Sequence, residues 1–380
     1  MALDIPFNRP YVARRTEEYL REVLAAGKLA GDGRFGERCR GLLEAQLGSL
    51  RVMLTTSCTH ALEMASLLLE LGPGDEVIVP SFTFVSTVNS FVLRGAKPRF
   101  VDVRADTLNL DESLLEAAVT PQTRAIFPVH YGGVGCEMDV VLAVAAKHGL
   151  AVVEDAAMAI GASYRGRPLG TLGDFGALSF HETKNITCGE GGALIVNRSE
   201  FVERAEIIRE KGTDRSSFMR GEIDKYGWVD VGSSYLPSDL LAACLLAQLE
   251  EVESIQARRQ EAWERYDAGL AGAVAEGLIE TLAIPEECQS SYHLYGLLLA
   301  NGEIRQRVQS RLREGGVQTT SHYQPLHLSK MGASWGEGAG SLPVTEAACE
   351  RLLRLPLYNE ITALEQERVL DLLLTVLRGI

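Results

Sequence analysis

Cysteine is scarce in the 380-residue chain. The seven present, at 39, 58, 136, 188, 244, 288 and 349, form an odd set without a C-x-x-C pair. Neither a disulfide framework nor a zinc cage is built that way, so no metal site is expected, and the N-x-[ST] matches at Asn185 and Asn197 carry no weight. No apolar run approaches the roughly 18 residues of a membrane span. Residues 1–10 also lack the basic and apolar regions of a secretion signal. A soluble cytoplasmic protein without a membrane partner is expected. Basic charge is in deficit, with 37 Lys and Arg against 51 Asp and Glu, which disfavours nucleic acid as a partner. Low-complexity tracts are missing too, and 46% apolar with 23% charged residues is ordinary globular composition, so disorder is excluded. The length suits one large domain and a smaller second one.

What the chain does have is alternation. Apolar runs at 76–79, 97–102, 125–129 and 151–154 are separated by helical spacing at 59–70, 83–94, 112–118 and 138–148. That pattern predicts βαβ units around a mostly parallel sheet. A helix over 12–26 and a Gly-rich turn precede it. Two more extended runs, 175–180 and 193–197, flank a turn that carries Lys184 and is expected at the sheet edge. Residues 212–235 are polar and aromatic without periodicity, which predicts a long loop serving function or a subunit contact. One long helix is expected from 237 to about 270, then an α+β tail. The expected division is a large domain over 1–250 and a small α+β domain over 251–380.

Two residues decide the chemistry. Asp155 ends the apolar run Ala151-Val152-Val153-Glu154-Asp155, and Lys184 follows in Ser179-Phe180-His181-Glu182-Thr183-Lys184-Asn185. Pyridoxal phosphate needs an amine to attach it and a carboxylate to keep its ring nitrogen protonated, so that the ring acts as an electron sink. An acid at the carboxyl end of a parallel strand stands where open α/β sheets build their sites. Alone it would read as a solvated strand end or a helix cap. The phosphate would sit in Thr55-Thr56-Ser57-Cys58-Thr59, where a helix N-terminus offers backbone N–H groups and Ser57 or Thr59 a hydroxyl, with Ser179 as a further donor. Phe84 is a candidate to stack on the ring, in competition with Phe82. His322, Tyr323 and His327, in a turn-rich segment near the expected domain interface, suit polar substrate contacts. A literal G-x-G-x-x-G at Gly31-Asp32-Gly33-Arg34-Phe35-Gly36 follows a helical run instead of a strand, so it does not read as a dinucleotide site.

At these residues the chain resembles the DegT/StrS group of pyridoxal-phosphate sugar aminotransferases, of the aspartate aminotransferase fold type (fold type I). The likeness covers nearly the whole chain and includes Pro6-Phe7-Asn8, the block from Gly27 to Gly33, Ser57-Cys58-Thr59, the lysine block, the block from Asp224 to Trp228 and Gly232-Ser233-Ser234-Tyr235. The resemblance implies that Lys184 attaches the cofactor, Asp155 faces its ring nitrogen, Phe84 stacks on it, and Cys58, Thr59 and Ser179 hold its phosphate. Ser234 would come from the other subunit of a homodimer with shared sites. Many relatives have Gly at the place of Cys58 and Asn at that of Ser234; the branch acting on dTDP-4-dehydro-6-deoxyglucose looks like this chain. The resemblance therefore implies amino transfer from L-glutamate to the C4 ketone of a dTDP-sugar. A C3 ketone, another nucleotide sugar and a non-catalytic cofactor-binding protein are the rivals. The family's dehydratases carry His where Lys184 stands. Met158 departs from the pattern, since the family usually has Gln or His there to bond the cofactor's ring oxygen and a thioether is only a weak acceptor.

Overall fold

The computed structural model describes residues 4–335 and 340–379. Its main sheet has seven strands: β1 (Arg51–Thr55), β2 (Glu76–Pro80), β3 (Lys97–Val101), β4 (Thr123–Ile126), β5 (Ala151–Asp155) and, after a short ribbon of β6 (Ser163–Tyr164) and β7 (Arg167–Pro168), β8 (Phe175–Ser179) and β9 (Gly192–Val196). Their order is β1-β9-β8-β5-β4-β2-β3. β8, β5, β4, β2 and β3 run parallel, while β9 is antiparallel to both of its neighbours. All five residues of β8 and of β9 are buried, as strands covered on both faces must be. The mostly parallel α/β fold expected from the sequence is the one observed. The lysine hairpin is not at the sheet edge, however, because β1 pairs outside β9 and makes the two hairpin strands internal.

Alternate residues of each strand feed two cores. On one face Val152, Leu178 and Ile195 pack with Tyr19 of α1 (Thr16–Ala26), Phe35 and Leu43 of α2 (Arg34–Leu47) and Leu246. On the other, Val153, Ala177 and Leu194 meet Leu62 of α3 (Cys58–Leu68) and Phe91 of α4 (Val85–Val92). Helix α5 (Leu115–Ala118), α6 (Met138–His148), α7 (Val202–Arg209) and the single turn α8 (Arg215–Met219) complete the surround. The expected helix over 237–270 is two, α9 (Asp239–Leu249) and α10 (Val252–Ala275), interrupted at Glu250 and Glu251. A third core joins Ile5, Tyr266, Leu297, Val308, Leu353 and Leu373. It is built from β12 (Tyr295–Leu298) and β13 (Leu352–Leu355), which with β10 (Glu280–Thr281) form an antiparallel sheet, and from α10, α11 (Gly302–Glu314) and α13 (Ala363–Arg378); Ala348 of α12 (Pro343–Arg351) packs in a smaller cluster with Leu352, and β11 (Cys288–Gln289) pairs instead with β6.

Helix α2 went unrecognised in the sequence because the Gly-rich decoy masks its start. Its function is structural: buried Asp239 accepts hydrogen bonds from the backbone N–H groups of Phe35 (3.4 Å) and Gly36 (2.8 Å), and a side chain on Gly33 would collide with that carboxylate. An anion already occupies this helix N-terminus. Among the described residues no helix is long and apolar enough to cross a membrane.

The end of β5 is fixed from below by Glu154. This fully buried carboxylate accepts from the backbone N–H groups of Gly170 (2.8 Å), Leu172 (2.6 Å) and Gly173 (2.7 Å) and from His130 Nε2 (2.8 Å). His130 Nδ1 takes the N–H of Cys136, so the ring proton sits on Nε2. Glu154→Gln replaces one accepting oxygen by an NH2 aimed at donors. It is expected to cost about 3 kcal/mol, read as a lower urea midpoint for unfolding; an unchanged midpoint would contradict this account of the strand end.

Candidate active site

The carboxyl ends of β4, β5 and β8 open into a cavity of about 480 Å³ whose lining includes Asp155, Ser179, Lys184, Phe84, Met158, His322 and Tyr323. Asp155 forms part of the floor, 6% exposed, its Oδ2 accepting from Thr87 Oγ1 (2.6 Å) and its Oδ1 from the Ala157 N–H (3.1 Å). Thr87 is itself paired with Thr83 at 2.8 Å. These bonds set the orientation of a buried carboxylate that no cation of the described chain neutralises through an ion pair.

Lys184 reaches the same cavity from the loop between β8 and β9. Its backbone N–H closes a turn on the His181 carbonyl (2.9 Å), and the next residue locks that turn: Asn185 donates to the carbonyl of Ser291 (2.7 Å) and to Gln256 (3.2 Å) and pairs with His293 Nδ1 (2.9 Å). The lysine amine has no hydrogen-bond or ion-pair partner among the described residues. Burial lowers its pKa from the ordinary lysine value; Cys58 and Asp155 oppose that shift and Arg354 adds to it. An amine so placed is a nucleophile nearer neutral pH than a surface lysine.

At the other end stands the N-terminus of α3. Ser57 caps it, its Oγ accepting from the His60 N–H at 3.1 Å. The first-turn N–H groups of Cys58 and Thr59 have no carbonyl of their own helix to bond, and Thr59 Oγ1 donates to Ser86 (2.8 Å). Gly192 lets β9 approach this turn, since a Cβ there would lie 2.4 Å from the Cys58 nitrogen. Ser179, paired with Gly192 in the β8–β9 register, is also in the lining. The donor set fits pyridoxal phosphate part by part: an anion cup, an amine without a partner, and a buried carboxylate for the ring nitrogen.

Most candidates come together here, but not all. Phe84 lines the cavity while Phe82, 1% exposed, packs against Tyr131. Met158 lines it too, but packs with Phe82, Tyr131 and Leu294. His322 and Tyr323 stack at 4.0 Å. His322 pairs through Nδ1 with the Tyr131 hydroxyl (3.0 Å), and burial together with Arg354 and Lys184 pushes its pKa down to about 2. His327 is placed elsewhere: it is fully buried, bonded to Ser81 Oγ (2.7 Å) and Glu346 (3.2 Å), and does not reach the cavity, so its role here is structural. Ser234 is exposed and outside the cavity of its own chain, bridged to Glu210. The sequence reading missed His130, His293 and Arg354, all in the lining. Arg354 carried a signal: it is the one charge in the buried strand Leu352-Leu353-Arg354-Leu355.

A mostly parallel central sheet whose strand ends and loops bring a lysine, an aspartate and a helix N-terminus to one cavity is the architecture of a pyridoxal-phosphate-dependent transferase of fold type I. A family profile, DegT/DnrJ/EryC1/StrS aminotransferase family, matches residues 10–374, and the chain belongs to that family. It is 33% identical over 383 residues to the spore coat polysaccharide biosynthesis protein SpsC of Bacillus subtilis (strain 168), covering 99% of this chain and 97% of that one. Spr1654 of Streptococcus pneumoniae in its PLP form superposes with a TM-score of 0.92 at 29% identity, covering 99% of each chain; it has also been solved in its PMP form. DesV of S. venezuelae, solved in complex with a ketimine intermediate, gives 0.89 at 31% identity and again 99% of each chain. Pyridoxal phosphate is the cofactor.

Lys184→Ala is expected to fold, because it empties no core, and to lose amino transfer to below a few per cent. Asp155→Asn should lose most activity as well, since an amide cannot hold the pyridinium charge. Wild-type turnover in either variant, measured with far-UV circular dichroism as the control for folding, would contradict the assignment.

Proposed function

We propose that this protein moves an amino group from L-glutamate to the C4 ketone of dTDP-4-keto-6-deoxy-D-glucose, giving a dTDP-4-amino-4,6-dideoxyhexose. The observation that carries the reading is the partnerless Lys184 amine in the same cavity as buried Asp155 and the α3 N-terminus, with room beside them for a sugar. When bound, pyridoxal phosphate supplies the carbon that carries the amino group between the two halves of the reaction and the ring that spreads the charge of the deprotonated donor.

The chain's residues do the rest. Lys184 Nζ takes the proton from the donor's Cα, a role that suits an amine whose pKa burial lowers from the ordinary lysine value. Asp155, aimed by Thr87 and the Ala157 N–H, keeps the ring nitrogen protonated. Cys58, Thr59 and Ser179 hold the phosphate, Phe84 covers the ring, and Met158 packs at its edge. His322 and Tyr323 receive the acceptor sugar. The residues Cys58 and Ser234, which follow the pattern of the 4-aminotransferase branch, support the C4 assignment over C3. The names of similar proteins, a spore coat polysaccharide biosynthesis protein among them, support a sugar as the acceptor.

Shared sites in a homodimer belong to this reading. The segment 212–235 exposes Met219, Tyr226, Trp228, Val229 and Val231, with Trp228 81% exposed, and apolar exposure of that kind marks a contact surface. A partner's copy of this segment would bring its Ser234 to the phosphate.

Turnover with glutamate and a panel of 3-keto and 4-keto dTDP-sugars, with products identified by NMR, is expected to give the 4-amino sugar; amination only at C3 would overturn the regiochemistry. Mixing Lys184→Ala with Ser234→Glu protein should restore activity to about a quarter of wild type if subunits exchange at random and one site per mixed dimer is intact. Absence of recovery after demonstrated exchange would contradict shared sites.

A further inference from the structure

Four histidines line the cavity, and among the described residues one keeps a ring nitrogen free. His130 bonds Glu154 and the Cys136 N–H, and His322 bonds Tyr131 and Arg354, so each has both nitrogens engaged. The half-exposed His181 bonds Thr183 through Nδ1, and its Nε2 lies 3.7 Å from Glu190. His293 is different: 4% exposed, it bonds Asn185 through Nδ1 at 2.9 Å, and no described residue bonds its Nε2. A buried acceptor left without a donor is costly unless a bound molecule supplies one.

The neighbours fix what that nitrogen can do. Asn185 uses its amide nitrogen on the Ser291 carbonyl (2.7 Å) and on Gln256 Oε1 (3.2 Å), and Gln256 in turn donates its own amide to the Ile160 carbonyl (3.0 Å). The Asn185 oxygen therefore faces His293 and accepts from Nδ1–H, which leaves Nε2 as a bare acceptor. Burial, helped by the cations of Lys184, Arg259 and Arg354, pushes the pKa of the ring well down, so Nε2 stays unprotonated. Such a nitrogen rejects carboxylates, phosphates and ketone oxygens, none of which donates, and takes an O–H or N–H. The amino donor offers two carboxylates, and its one amine is the reacting group. The keto sugar offers ring hydroxyls. Because His293 is bonded to the residue next to Lys184, the hydroxyl that suits it is one near the reacting carbon.

We propose that His293 Nε2 accepts a hydrogen bond from the ring hydroxyl beside the ketone of the acceptor sugar, which makes it a specificity residue for the second half of the reaction. The proposal rests on the aminotransferase reading above, under which that hydroxyl is the one on C3. A site that hydrogen-bonds a substrate hydroxyl rejects the analogue without it, because its own polar group is then left unpaired. His293 thus has one nitrogen for the lysine loop and one for the sugar.

The test uses holoenzyme loaded with pyridoxamine phosphate and three non-reacting probes in calorimetric titrations: dTDP-6-deoxy-D-glucose, which has a hydroxyl in place of the ketone, and its 3-deoxy and 2-deoxy derivatives. Wild type is expected to bind the parent about tenfold more tightly than the 3-deoxy derivative, the contribution of one hydrogen bond. His293→Asn keeps an N–H for Asn185 and carries nothing at the place of Nε2; it is expected to bind those two probes within about twofold of each other. His293→Gln, whose longer side chain brings an amide oxygen toward that place, is expected to recover part of the difference. A wild-type enzyme indifferent to both deoxy positions, or a preference for the parent as large in His293→Asn as in wild type, would overturn the proposal. If the His293-dependent loss is seen with the 2-deoxy derivative and not with the 3-deoxy one, the hydroxyl acceptor stands and the C4 assignment of the proposed function fails, since a C3 ketone has its hydroxyl neighbours at C2 and C4.

Discussion

The site depends on a carboxylate kept buried and unpaired. Asp155 has given up water and, among the described residues, received only the Thr87 hydroxyl and one backbone N–H in exchange. Desolvating a carboxylate costs several kcal/mol unless a partner compensates. Under the proposed function the protonated ring nitrogen of the cofactor would be that partner, so the energy that binds it would also fix its electronic state. The same logic governs the half-buried Lys184 amine and the buried Arg354 guanidinium, which line the same cavity and have no carboxylate partner among the described residues. A cavity with one free acid and two basic groups is poised for a reactant carrying the opposite charges.

Holding those groups against their own electrostatics takes a stiff frame. Glu154 turns to the opposite side of β5 from Asp155, and four hydrogen bonds tie it to the loop at 170–173 and to His130. The two adjacent acids divide the work, one anchoring and one facing the cavity, as the alternation of a strand requires. Asn185 does for the lysine loop what Glu154 does for the strand, spending every polar atom of its side chain on neighbours from α10 and the segment before β12.

Much of this was legible in the sequence. The alternation of apolar runs located β2 to β5, β8 and β9 within a few residues, and the Lys184 and Asp155 pair was readable because each stands beside a strand whose apolar run is unambiguous. The position of the hairpin inside the sheet was not, since β1 is distant in sequence and its pairing with β9 leaves no local mark. His327 looked equivalent to His322, being five residues away on a turn-rich segment. The chain separates them by burying one against Ser81 and Glu346. Arg354 was visible as a lone charge among leucines, but only the cavity tells that it lacks an acid to pair with.

The central claim is that the Lys184 amine, and no other, carries the cofactor. Reducing the holoenzyme with borohydride and mapping its peptides by mass spectrometry tests this directly. The account predicts a pyridoxyl group on Lys184 alone; a pyridoxyl group on Lys28, Lys225 or any other lysine, with Lys184 unmodified, would contradict it.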